Sequence, residues 1–156
     1  KTQKIGEGSR TNFDSAWLEH AAKLIINKLP DIRRGHPAIL TGDFNAGPDY
    51  PSVKMLKSIF KNSYRYSLTS PTGPTGTFHG FKPTPEKLAR LPIDFVFISQ
   101  RFEVLEHHTL TDSLNGLYPS DHFPVLAVLR LPKPSKPPAP APEPLVIAPV
   151  MPAAAP

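Results

Sequence analysis

Apolar positions recur with two different periods along this chain, and together they divide its first 131 residues into elements. Leu18, Ala22, Ile25 and Leu29 fall at i, i+4, i+7 and i+11, one face of a 3.6-residue repeat, which predicts a helix from Ser15 to Leu29. Asp14 or Ser15 can cap it, and Pro30, which has no N–H, is expected to stop it. Ala38-Ile39-Leu40-Thr41 is a short apolar run behind a His-Pro break and predicts a buried strand, with a loop from Gly42 to Asp49. Pro51 suits the first turn of a second helix, on which Val53, Leu56 and Phe60 share a face and Lys54, Lys57 and Lys61 form a flanking stripe. Runs rich in β-branched and aromatic residues predict strands at Ile93–Ser99, Phe102–Thr109 and Phe123–Leu131, after the turn chemistry of Pro71 to Gly76. The order helix, strand, helix, strand, strand, strand is that of a mixed α+β layered body.

Composition changes this picture at one place. Of the 25 residues from Pro132 to Pro156, 10 are proline and 6 alanine, too few backbone donors and too restricted a φ for helix or sheet. This stretch is expected to be a disordered spacer rather than part of the core, and its Pro134-to-Pro137 spacing lacks the flanking arginine of an SH3-type ligand. No apolar run approaches the roughly 20 residues that span a bilayer. The absence of cysteine excludes disulfide scaffolds, zinc knuckles and thiol catalysis, and leaves the compartment open. The net charge of +5 suits a phosphate-bearing partner by Coulomb attraction without requiring one.

Candidate chemistry gathers at strand ends. Asp43 and Asn45 are two apart, so in extended backbone both side chains point to one side, where a carboxylate can activate water or hold a metal and an amide can donate to an anion. The same pair also suits local turn hydrogen bonds. Asp94, between Ile93 and Phe95, is either paired or on the solvent face of an alternating strand, because an unpaired buried charge is costly. Ser120-Asp121-His122 offers an anionic metal ligand beside a base that titrates near neutrality. A serine triad of Ser120 or Ser99 with His122 and Asp94 is the competing assembly, but no Gly-x-Ser-x-Gly elbow accompanies it.

Thr41-Gly-Asp-Phe-Asn-Ala-x-Pro48, Ile93-Asp-Phe-Val-Phe97 and Ser120-Asp-His-x-Pro-Val125 resemble, in order, the three C-terminal motifs of the endonuclease/exonuclease/phosphatase superfamily, the DNase I-like fold. Their separations, 51 residues from Asp43 to Asp94 and 27 from Asp94 to Asp121, fit as well. The resemblance implies that residues 1–131 are the C-terminal half of a four-layer α/β/β/α sandwich. It implies that Asp43 activates or orients water, Asn45 holds the scissile phosphate, Asp94 orients the catalytic His122, and Asp121 with Asp43 binds Mg²⁺ or Mn²⁺. The family's early Asn, metal-binding Glu and Asn-x-His strand have no counterpart in residues 1–11, so exposed apolar sheet surface and weak or no turnover are expected of these residues alone.

Gly76-Thr-Phe-His-Gly-Phe81 further resembles a loop of one branch of the superfamily, in which His79 either contacts substrate or is incidental between two buried phenylalanines. His107 and His108 alternate sides of a strand and cannot chelate together; His20 and His36 read as surface residues, and the lysine stripe as a solvated helix face. The expected activity is metal-dependent phosphodiester hydrolysis, with nucleic acid as first choice of substrate. A phosphomonoesterase, a phospholipid-head-group hydrolase and a non-catalytic scaffold are the alternatives.

Overall fold

The computed structural model describes residues 10–131 and Lys133; the proline-rich stretch from residue 134 onward, and the expectation placed on it, lie outside the described residues. The first helix, α1, spans Arg10–Arg33 and differs from expectation at both ends. It begins before Ser15, whose hydroxyl donates to Glu19 Oε1 at 3.3 Å rather than capping a terminus. It also runs through Pro30. A proline in the last turn costs one hydrogen bond, and Ile25, Ile26 and Leu29 hold that turn against the core. The helix ends where Arg34 (φ 46°) and Gly35 (φ 81°) turn left-handed.

Strand β1 (Ile39–Asp43) leads into α2 (Pro51–Lys57), which opens on proline as expected, and then into the two-residue strand β2 (Lys61–Asn62). Two single-turn helices follow, α3 (Ser63–Tyr66) and α4 (Pro85–Leu88), before β3 (Asp94–Ile98), β4 (Glu103–Thr109) and β5 (Val125–Arg130). Antiparallel pairing gives one sheet in the order β1-β3-β2 and a second of β4-β5.

Strand β3 explains why the two sheets stack. It is buried from Phe95 to Ile98, so its alternating side chains enter two different cores. Phe95 and Phe97 face the helices, packing with Ala22 of α1, Val53 and Leu56 of α2, and Phe60. Val96 and Ile98 face the second sheet, meeting Val104, Val125, Ala127 and Leu129. The layers are therefore helices, sheet, sheet. The outer face of β5 carries Leu126 and Val128, 46% and 37% exposed, with no described layer beyond them. This is the helix-plus-two-sheet portion of the expected α+β sandwich.

Two of the three lysines on the expected stripe are committed to structure. Lys57 Nζ donates to the Pro48 carbonyl at 2.8 Å, and Lys61 Nζ to the carbonyls of Gln100 (2.7 Å) and Phe102 (3.1 Å). The imidazole of His107 is buried with Nδ1 2.8 Å from Ser63 Oγ, and His108 turns outward to Thr72 and Glu106. His20 and His36 are exposed.

Candidate active site

The antiparallel register of β1 and β3 places the last residue of one strand opposite the first of the other, so Asp43 and Asp94 are direct neighbours. Residues 121–123 enter from the second sheet and place His122 against both. Its Nδ1 lies 2.8 Å from Asp94 Oδ2, and its Nε2 4.0 Å from Asp43 Oδ2. The three side chains are partly exposed, at 23% for His122, 33% for Asp43 and 18% for Asp94. They line an open cleft of about 370 Å³, floored by Phe95, Val96 and Val125.

With Nδ1 engaged by a carboxylate, Nε2 is the ring atom left for other partners. Burial pulls the His122 pKa down, but the hydrogen bond and charge of Asp94, followed by the charges of Asp43 and Asp121, outweigh it and leave the pKa raised above 6.5. The shift favours the protonated, hydrogen-donating form relative to a free imidazole.

Each Asp43 oxygen has its own task. Oδ1 accepts from the Asn45 N–H at 2.8 Å, and Oδ2 faces His122. Of the two readings the sequence offered, that bond is the local turn, and the chain leaves the extended conformation after Asp43. Asn45 takes a left-handed φ of 48°, while Phe44 turns into the core against Phe95 and Phe97. Asn45 consequently lines the neighbouring cavity, beside Leu18, Ala22 and Ile25 of α1, rather than the His122 cleft.

His79 and its flanking phenylalanines also invert expectation. The histidine is fully buried, while Phe78 and Phe81 are 37% and 57% exposed. The N–H groups of His79 and Gly80 both donate to the Asp121 carbonyl, at 2.9 and 3.0 Å, which turns the imidazole inward. There it stacks on Phe123 (4.1 Å between centroids) and lies beside Tyr118 (4.7 Å). Neither ring nitrogen makes a well-formed hydrogen bond, and burial outweighs the nearby His122 backbone and the Asp121 charge to lower the pKa. His79 therefore does not reach the cleft, whereas the Phe78 ring lies 4.9 Å from that of His122.

The serine alternatives are occupied elsewhere. Ser99 Oγ is bonded to the Ala38 backbone at the far end of β3, and Ser120 Oγ accepts from the His122 N–H at 3.1 Å. Asp43 and Asp121 carry hard oxygen atoms of the kind Mg²⁺ and Mn²⁺ take. Among the described residues, however, no three His, Cys, Asp or Glu side chains converge to hold a metal ion. The described donor set does not by itself make an ion site.

The sequence pattern of the Endonuclease/Exonuclease/phosphatase family matches residues 6–122, three quarters of the chain, including Asp43, Asp94 and His122 of the cleft. The chain belongs to this family. Among solved structures, the family member from Bacteroides vulgatus is 30% identical, with a TM-score of 0.68 over 76% of this chain and 45% of its own. A mannosyl-6-phosphatase from Bacteroides thetaiotaomicron is 31% identical, with a TM-score of 0.64 over 81% of this chain and 47% of its own. A functionally unknown conserved protein from Enterococcus faecalis is 28% identical, with a TM-score of 0.66 over 76% of this chain and 46% of its own. The chain thus spans just under half the length of these structures. No curated protein matches it. No helix among the described residues is long and apolar enough to cross a membrane.

Proposed function

We propose that this site hydrolyses phosphate esters by in-line attack of water on phosphorus. The observation carrying this reading is the Asp94–His122 pair at 2.8 Å, facing Asp43 within a chain of the endonuclease/exonuclease/phosphatase family. Asp43 Oδ2 orients the attacking water and accepts its proton. The new P–O bond forms as the bond to the leaving alcohol oxygen breaks, and that oxygen takes a proton from solvent. Protonated His122 donates through Nε2 to a phosphoryl oxygen, where negative charge must be balanced. Asp94 holds the ring with Nε2 outward and stabilises its positive charge.

A phosphomonoester of a sugar is the substrate class favoured by the mannosyl-6-phosphatase likeness, at 31% identity over 81% of this chain. Nucleic-acid phosphodiester is the second reading. The net charge of +5 favours it, while Lys57 and Lys61, held on backbone carbonyls, are less free to swing onto a phosphate backbone. In a protein of the relatives' full length that carries this chain, phosphate release from sugar 6-phosphates is measured beside shortening of a single-stranded oligonucleotide, with Mg²⁺ and Mn²⁺ supplied. Release that falls about 10²-fold or more in Asp43→Asn supports the site. Turnover unchanged by that substitution contradicts it, and oligonucleotide cleavage without phosphate release selects the second substrate class.

A further inference from the structure

Thr77 is 2% exposed and takes no part in lining the cleft, yet its oxygen atoms reach both sides of the pair that does. Its hydroxyl oxygen accepts from the Ile93 N–H at 3.1 Å and the Asp94 N–H at 3.2 Å, the entry to β3. Its backbone carbonyl accepts from the Phe123 N–H at 2.7 Å, and the next residue, Phe78, forms an antiparallel bridge with His122. A hydroxyl oxygen has two acceptor sites, and both are used here on adjacent amides. One residue thus fastens the backbone of Asp94, on the first sheet, to the segment carrying His122, on the approach to the second.

The surroundings fix Thr77 in turn. The Gly76 N–H donates to the Leu88 carbonyl at 2.9 Å, and a Cβ on Gly76 would lie 2.0 Å from the Lys87 carbonyl oxygen. Glycine is therefore required where the chain passes α4. On the far side, Lys87 Nζ donates to the carbonyls of His79 (2.6 Å) and Lys82 (2.9 Å), closing the turn that follows Thr77. Residues 76–82 form a bracket held at both ends by α4, with Thr77 at the point where it touches the site.

We propose that Thr77 is a positioning residue: its paired hydrogen bonds set the placement of Asp94 relative to His122 and hold the imidazole with its proton on Nδ1. The proposal rests on the reading of Asp94–His122 as the working pair. A displacement near 1 Å at a reacting group costs rate on the order of 10²-fold, so a residue that fixes this spacing acts without touching substrate.

The test uses the chain itself and needs no substrate, so it stands or fails separately from the hydrolysis assays. Amide exchange is read at Ile93 and Asp94, and imidazole ¹⁵N shifts at His122 report its tautomer at a pH where the ring is neutral. In the wild type both amides exchange slowly and the proton sits on Nδ1. Thr77→Val keeps shape and removes the acceptor; it is expected to speed the two amides by roughly tenfold or more and shift the tautomer toward Nε2–H, leaving exchange at Phe97 and Val53 as it was. Thr77→Ser keeps the oxygen and is expected to behave as the wild type. Unchanged exchange and tautomer in Thr77→Val, or a loss in Thr77→Ser equal to that in Thr77→Val, overturns the proposal. If Thr77→Val also loses protection at Phe97 and Val53, Thr77→Ser decides: retained protection and tautomer support the proposal, and their loss overturns it.

Discussion

His107 and His122 each have Nδ1 2.8 Å from an oxygen, and there the likeness ends. His107, on β4, is buried against α3 with the neutral Ser63 hydroxyl as its partner, and burial drives its pKa down to about 4. His122 opens onto a cleft, with a carboxylate as its partner and two more carboxylates nearby; their combined effect exceeds that of burial and raises its pKa. Equal hydrogen-bond length therefore says little about role. The charge of the partner and access to water separate a histidine that braces a core from one that can exchange a proton with a ligand.

The largest effect that would break this comparison concerns activity. His122→Ala is expected to lower kcat for phosphate-ester hydrolysis by about 10²- to 10⁴-fold while thermal unfolding changes little. A stability loss matching that expected for the buried histidine would place the two residues in one class.

The next effect is on stability against pH. Between pH 6.5 and about 4 the unfolded chain protonates His107 while the folded chain does not, so the unfolded state binds more protons and stability falls with pH. The loss at the acid end is on the order of 3 kcal/mol, and His79, also lowered by burial, adds to it in the same sense. His122 runs oppositely: its contribution is present below pH 6.5 and lost as pH rises through its raised folded value. Urea unfolding from pH 4.5 to 8 checks the signs; stability that increases on acidification to pH 4.5 contradicts the reading of His107.

Ser63→Ala gives the smallest effect. It leaves the buried His107 Nδ1 without its partner and is expected to cost about 1–3 kcal/mol in urea unfolding, with hydrolysis unchanged. Reduced turnover in a fully folded Ser63→Ala protein would join the two regions that the comparison separates.

The same contrast marks what the sequence could reveal. Helix α1 was legible because Leu18, Ala22, Ile25 and Leu29 keep one 3.6-residue face, and β3 because its run of β-branched and aromatic residues suits a strand buried on both faces. Strand β2, α3 and α4 span two to four residues and repeat nothing; they exist because β3 pairs with Lys61 and Asn62, and because the Asn62 and Thr84 side chains cap the turns that follow. Pro30 was a sound local stop signal overruled by packing. At the site, motif order brought out Asp43, Asp94 and His122, which the structure brings together. The turn at Asn45 was legible as a local Asp-x-Asn turn, whereas the inward rotation of His79 was not, since it depends on backbone bonds to Asp121, 42 residues away. Thr77 lies inside the Gly76–Phe81 motif, but its role was not legible there: its partners are 16, 17 and 46 residues away.

Neighbouring carboxylates, rather than hydrogen-bond distance, set His122 apart from His107. A site-resolved NMR titration of the histidine rings in wild type and Asp94→Asn tests this most directly. A His122 midpoint above 6.5 that drops in Asp94→Asn is expected, with His107 remaining near 4 in both proteins. A wild-type His122 midpoint at or below 6.5, or one that Asp94→Asn leaves in place, would contradict it.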